Sequence, residues 1–217
     1  MYRRYSVSEI IRMSNLVKIL VSEYPVVYTV DDLLSAEECQ AIIDRAEPLM
    51  KDAGVSTMPG QTGFTKGEYT GRTNRSHWIE KEEFPEICQR IADIMECNGD
   101  HFESMQVIHY GVGQEYKYHF DAYDRENKDR YKHFCTERGN RLKTALVYLN
   151  EVEEGGETGF DMLKPMGEVV KVAPKRGRAV IFHNVNRDGS LNKCSRHAGL
   201  PVVKGEKWAF NLWLREL

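Results

Sequence analysis

Residues 116–124 read YKYHFDAYD and place His119 and Asp121 two positions apart among four aromatics, Tyr116, Tyr118, Phe120 and Tyr123. Aromatic density of this kind favours a β-strand. In a strand, residues i and i+2 project from the same face, so the imidazole and the carboxylate point together. H-x-D alone is a short pattern, and a satisfied histidine beside a solvated aspartate accounts for it equally well. A second histidine changes the reading. His197 opens the extended segment SRHAGLPVV, where Ala198 and Gly199 leave room for another group to approach closely. Two histidines and one carboxylate on a β-framework form a facial triad with open positions, a donor set suited to non-haem Fe(II), and zinc accepts the same ligands.

Ten residues beyond His197, the segment KWAFNLWLRE alternates. Trp208, Phe210, Leu212 and Leu214 share one face; Lys207, Ala209, Asn211 and Trp213 share the other. If that second face points inward, the Lys207 ammonium requires an anionic partner. A small dicarboxylate would be such a partner, and a cosubstrate anchored at its far end favours iron over zinc.

Several further strands must hold these groups. ESMQVIHYG, RLKTALVYLNEV, GEVVKVAP and GRAVIFHNV are β-branched or aromatic runs set between Gly, Pro and Asp turns, a pattern of sandwiches and barrels. Upstream, VVYTV (26–30) reads as a short strand. LLSAEECQAIIDRAEPLM reads as a helix with a capping box, Ser35 at the N-cap and Glu38 three residues later. KEEFPEICQRIADIMEC reads as a second helix with Phe84, Ile87, Cys88, Ile91 and Met95 on one side. The expected organisation is one α+β domain over 1–217, with a helical support region (1–100) packed on a β-rich catalytic core (101–217). The Gly- and Thr-rich stretch 53–74 reads as a long loop, and the charged stretch 122–140 as an exposed loop or lid.

Composition narrows the class. Of 217 residues, 41% are hydrophobic and 29% charged, and the net charge is −3, which argues against a dedicated nucleic-acid surface. The first 25 residues contain no uninterrupted apolar run, so neither a signal peptide nor a membrane span is expected. Five cysteines with no C-x-x-C spacing fit reduced thiols and a cytoplasmic location.

IHYGVGQEYKYHFDAY, RLKTALVYLNEVEEGGETGF, GRAVIFHNVNRDGS and SRHAGLPVVKGEKWAFNLWLRE, in this order over residues 106–215, resemble the prolyl 4-hydroxylase family of 2-oxoglutarate/Fe(II)-dependent dioxygenases. LLSAEECQAII and GRTNRSHWI resemble the upstream elements of that family. The resemblance implies a double-stranded β-helix (jelly-roll) core with N-terminal helices packed against it. It implies that His119, Asp121 and His197 hold the iron, that Lys207 pairs with the far carboxylate of 2-oxoglutarate, and that Tyr110 and Thr158 hydrogen-bond the same molecule. Trp213 would line the pocket, and Tyr116, Arg141 and Arg72 would lie near a proline-containing peptide or protein substrate. The implied cofactors are Fe(II), 2-oxoglutarate and O2, with ascorbate as reductant, in a monomer or homodimer. Strict alternation, however, turns Tyr116 away from the metal, against the resemblance, unless the strand is bulged or begins after it. The chain departs from the family's pattern at GGETGFDML and through 122–140, both near the substrate entrance. Hydroxylation of another side chain or a small molecule, or a non-catalytic binding module, therefore remain as alternatives on sequence alone.

Overall fold

The computed structural model describes residues 16, 18–23, 25–58, 71–161 and 169–217. Fourteen strands run from β1 (Lys18–Glu23), β2 (Val26–Val30), β3 (Lys51–Asp52) and β4 (Arg75–Ile79) to β5 (Met105–Tyr110), β6 (Tyr116–His119) and β7 (Arg141–Tyr148). Then come β8 (Glu154–Gly155), β9 (Thr158–Phe160), β10 (Val170–Val172), β11 (Ala179–His183), β12 (His197–Gly199), β13 (Val202–Lys204) and β14 (Lys207–Arg215). The described residues form helices α1 (Ala36–Ala46), α2 (Pro85–Met95) and α3 (Lys128–Cys135). Among the described residues, no helix is long and apolar enough to cross a membrane.

The strands form an eight-stranded sheet of order β1-β2-β11-β7-β14-β5-β4-β3 and a four-stranded sheet of order β10-β9-β12-β6, with the pair β13-β8 beside them. Every pairing is antiparallel. This is the jelly-roll arrangement expected from the family resemblance. The expected helical region 1–100 is the first correction. It contributes four strands to the large sheet, two of them paired with distant partners: β2 with β11 and β4 with β5. Residue 100 is therefore no structural boundary.

Alternation divides the large sheet into two faces. On one, Tyr28, Val30, Met105, Val107, Ala145, Val147, Ile181, Phe210 and Leu212 pack against Cys39, Ile42 and Ala46 of α1 and Ile87, Ile91 and Met95 of α2. On the other, Val27, Ile108, Tyr110, Leu146, Tyr148, Val180, Phe182 and Ala209 meet Phe160 and Val172 of the small sheet. Both helices begin as their sequences require. The Ser35 hydroxyl accepts from Glu38 N while the Glu38 carboxylate accepts from Ser35 N, the capping box expected above. Pro85 opens α2, so this helix starts four residues later than its apolar pattern implies, after a short 3-10 turn at Lys81–Glu83. The Arg90 guanidinium on α2 then joins the two helices by donating to Glu38 at 2.8 Å and to the Leu33 carbonyl at 2.7 Å.

The 122–140 stretch is the second correction. Its centre is α3, capped by the Asn127 side chain, which accepts from Arg130 N, so it is not a plain loop. Part of the expected 53–74 loop, residues 59–70, lies outside the described residues.

The helix-backed face should dominate stability. Ile91→Ala, at a fully buried position, should cost about 2–5 kcal/mol, whereas Ile19→Ala, on a half-exposed edge-strand side chain, should stay within about 0.5 kcal/mol of the parent. Urea unfolding of both variants measures the contrast.

Candidate active site

His197 on β12 lies opposite His119 on β6, and Gly199 lies opposite Tyr116. Between these pairs one residue of β12, Ala198, faces two of β6, Lys117 and Tyr118, which defines a β-bulge. The bulge settles the Tyr116 conflict: Tyr116 and His119 face the same cavity, their rings stacked with centroids 3.6 Å apart at 19°. Strand β6 stops at His119. Asp121 follows it and turns its Oδ1 to 3.6 Å from His119 Nε2 and its Oδ2 to 3.6 Å from His197 Nε2. The three ligand atoms all lie within 4.8 Å of one another.

Backbone carbonyls set the protonation of both rings. His119 Nδ1 sits 2.7 Å from the Lys117 carbonyl and His197 Nδ1 2.9 Å from the Ser195 carbonyl. A carbonyl only accepts, so each Nδ1 carries the proton and each Nε2 offers a lone pair to the space between them. Burial pushes His197 down to about 4, with Asp121 opposing and His119 and Lys207 reinforcing, which leaves the ring neutral at neutral pH. For Asp121, burial favours the neutral acid, but His197, His119 and Arg141 outweigh it and hold the carboxyl far below the usual range. Asp121 Oδ2 also accepts from Thr144 Oγ1 at 2.7 Å, and Thr144 Oγ1 accepts from Asn184 Nδ2 at 2.8 Å. Two imidazoles that present Nε2 and an oriented carboxylate fit a divalent first-row metal.

Lys207 begins β14 opposite Tyr110 of β5 and is 1% exposed. Its Nζ lies 5.0 Å from the Tyr110 ring centroid and 5.5 Å from that of Tyr148. Among the described residues no carboxylate stands within ion-pair distance of it. Burial therefore pushes the ammonium down from its ordinary 10.5 to about 7, offset weakly by Glu157. Thr158, on β9 opposite Gly199, exchanges a 2.6 Å hydrogen bond with the Tyr148 hydroxyl. The small residue at 199 is required: a Cβ there would come 3.2 Å from the Tyr110 hydroxyl. A buried cation over two tyrosine rings, with no carboxylate within ion-pair distance among the described residues, matches a carboxylate-bearing ligand.

A second bulge brings in the arginine. Trp213 pairs with Thr144 and Arg215 with Arg141, so an extra residue of β7 is accommodated and Arg141 joins the cavity face. Its guanidinium lies 3.6 Å over the Trp213 ring and donates to both Glu103 oxygens, at 2.6 and 2.8 Å; Arg215 donates to Glu103 as well, at 2.6 Å. Arg72 lies 4.7 Å over the Tyr116 ring and donates to Asn74, Gln106 and the Gly54 carbonyl. All ten residues singled out in the sequence (His119, Asp121, His197, Lys207, Tyr110, Thr158, Trp213, Tyr116, Arg141 and Arg72) line one cavity of ≈ 690 Å³.

Residues 105–215 match the 2OG-Fe(II) oxygenase superfamily. The chain belongs to that superfamily. Prolyl 4-hydroxylase 13 of Arabidopsis thaliana is 30% identical over 204 residues, covering 88% of this chain and 72% of the relative. Probable prolyl 4-hydroxylase 8 of the same plant is 34% identical, covering 89% and 70%. Among solved structures, the viral collagen prolyl hydroxylase of Paramecium bursaria Chlorella virus-1 in complex with 2OG superposes with a TM-score of 0.65 at 28% identity, covering 88% of this chain and 96% of that one.

The sequence reading missed other parts of this oxygenase site. Tyr148, which joins Thr158 to the lysine chamber, shares the parity of Thr144 and Leu146 on β7, so alternation alone places it correctly. Thr144, Asn184 and Glu103 act through contacts between segments far apart in the chain, for which no local signal exists. Tyr123 shares the odd-numbered parity of His119 and Asp121. It does line the cavity, but from beyond the strand's end, held by Asn140, which bonds both its N–H and its carbonyl.

Two outcomes test the chamber. Thr144→Val should leave the fold intact and weaken Mn(II) binding roughly 10–100-fold, the range typical for partners that orient metal ligands, read by isothermal titration. Because the folded Lys207 releases its proton near 7 and the unfolded one near 10.5, the unfolded chain binds more protons in that window, and stability rises with pH across it. Lys207→Met should remove that component of the rise, as seen by subtracting the two urea-unfolding profiles between pH 7 and pH 10.

Proposed function

We propose that this oxygenase is a prolyl 4-hydroxylase that acts on a proline-containing peptide or protein. The carrying observation is the pairing of a His–Asp–His donor set with a buried, unpaired Lys207 in one cavity. His119, Asp121 and His197 would hold Fe(II) through Nε2 and carboxylate oxygen. Lys207, with Tyr110 and Thr158, would hold the far carboxylate of 2-oxoglutarate. Bound together, iron and 2-oxoglutarate supply the O2 activation that places one oxygen atom on a C–H bond and leaves succinate and CO2, with ascorbate as the proposed reductant.

The chain's own residues do the rest. Lys207 would set the orientation of the cosubstrate, because among the described residues no carboxylate stands within ion-pair distance of it and the apolar wall formed by Ile108, Leu146 and Ala198 strengthens the pairing. Thr144 holds the Asp121 carboxylate in one rotamer. Tyr116, stacked on His119, and Trp213, stacked under Arg141, frame the opening through which a prolyl ring would approach. These two flat rings suit the stiff, extended backbone of proline-rich segments. The relatives named prolyl 4-hydroxylases support this substrate over a free small molecule.

Incubation with Fe(II), 2-oxoglutarate, ascorbate and proline-containing peptides should yield succinate together with peptide that gains one oxygen atom, located on proline by fragmentation mass spectrometry. Succinate without hydroxyproline in any peptide would reject the prolyl assignment and keep the oxygenase. Tyr116→Phe should lower hydroxyproline relative to succinate several-fold, since a misplaced target carbon separates the two half-reactions. An unchanged ratio would confine Tyr116 to packing.

A further inference from the structure

Six residues with full charges line the cavity: Arg72, Asp121, Asp124, Arg130, Arg141 and Lys207. Asp121 belongs to the metal donor set and Lys207 faces the proposed cosubstrate. Arg141 is paired with Glu103, which it shares with Arg215, and Arg72 donates to Asn74, Gln106 and Gly54. Asp124 accepts from the Glu126 backbone N–H. Arg130 stands apart. It projects from the first turns of α3, half-buried, and among the described residues no carboxylate lies within ion-pair distance of it.

Its guanidinium is nevertheless held in place. One Nη donates to the Ser56 carbonyl at 2.9 Å. The guanidinium carbon lies 5.7 Å from the Tyr123 ring centroid and 5.3 Å from that of Phe134, and these two rings stack at 4.7 Å. Tyr123 is in turn tied to Ser56 through its hydroxyl at 3.0 Å. A carbonyl and a pair of rings therefore fix the side chain while its remaining N–H donors have no acceptor among the described residues.

We propose that Arg130 selects peptides that carry a side-chain carboxylate close to the target proline. The inference rests on the prolyl reading above. A guanidinium fork pre-oriented at a pocket mouth pairs with a carboxylate through two parallel hydrogen bonds, and little side-chain freedom is lost because the fork is already held. A lysine on the peptide would meet an uncompensated positive wall, which adds rejection to attraction. The pair is half-exposed, so its contribution should shrink as salt rises.

The test uses fluorescein-labelled, N-acetylated, C-amidated peptides with a single proline, in which Glu, Gln or Lys is scanned through three positions on each side. Binding is read by anisotropy with the Mn(II)- and 2-oxoglutarate-loaded protein, and hydroxyproline by mass spectrometry with Fe(II). At one position or more, Glu should bind up to about fivefold tighter than Gln, the scale of a charge-assisted pair discounted for exposure, with Lys weaker than either. Arg130→Gln should level Glu and Gln, Arg130→Lys should retain part of the preference, and Arg130→Glu should invert it toward the Lys peptide. That inversion cannot come from misfolding. A matched peptide with a free C-terminus in place of the amide separates a terminal carboxylate from a side-chain one; tight binding confined to it would overturn the side-chain assignment. Glu peptides that bind no better than Gln peptides, with or without turnover, overturn the proposal. Preferential binding of Glu peptides that gain no hydroxyproline would instead leave Arg130 in place and overturn the prolyl reading.

Discussion

The buried ammonium of Lys207 constrains the rest of the structure. Moving its proton release from 10.5 to about 7 corresponds to roughly 5 kcal/mol of unfavourable burial of the charged form. A fold carries such a group only if the surrounding framework is over-determined. Here it is: Lys207 starts the longest strand, β14, which lies between β5 and β7 and packs Trp208, Phe210, Leu212 and Leu214 against the helix-backed core. The same strand therefore does two jobs by parity. Its even-numbered side chains anchor it, and its odd-numbered side chains, Lys207, Asn211 and Trp213, form the cavity wall. The anchor cannot relax to let the ammonium out without exposing the apolar set.

The metal donors obey a related constraint. Three polar groups face one another in the interior, and each is held by a partner behind it: a backbone carbonyl for each histidine and Thr144 for the aspartate. Without those partners, an imidazole could present either nitrogen and the carboxylate could rotate. The hydrogen bonds choose one tautomer and one rotamer before any ligand arrives, so ordering costs are met during folding and not at binding.

Parity also explains how much was legible in the sequence. Where strands are regular, as in β14, alternation correctly separated core from cavity. Where they are bulged, it failed in isolation. Tyr116 and Arg141 both have the wrong parity for the cavity, and both enter it because an extra residue is absorbed beside His119 or Thr144. A bulge is fixed by the partner strand, which lies about 80 residues away, so the local sequence contains no sign of it. VVYTV was legible as strand β2, but β1, β3 and β4 escaped notice for the same reason. RSHWI (75–79) has a mixed polar pattern and becomes a strand because β5 offers it an edge. α3 was hidden by its composition: KDRYKHFC buries only Cys135, so its helical period carries almost no apolar signal.

These constraints divide the cavity into two regimes. Around Lys207 and the donor set, nearly every polar atom is committed to a partner or to one class of ligand, and the walls belong to paired strands of the two sheets. Around Arg130, Tyr123 and Ser56, the contacts come from α3 and the 53–58 segment, joined by hydrogen bonds that are half-exposed or exposed. Substitutions in the first regime disturb ionisation balances worth several kcal/mol, so change there strikes the metal and cosubstrate sites directly. Substitutions in the second alter only exposed pairs worth about 1 kcal/mol or less. Chemistry is thus held by the part of the molecule that is costly to alter, and peptide choice by the part that is not.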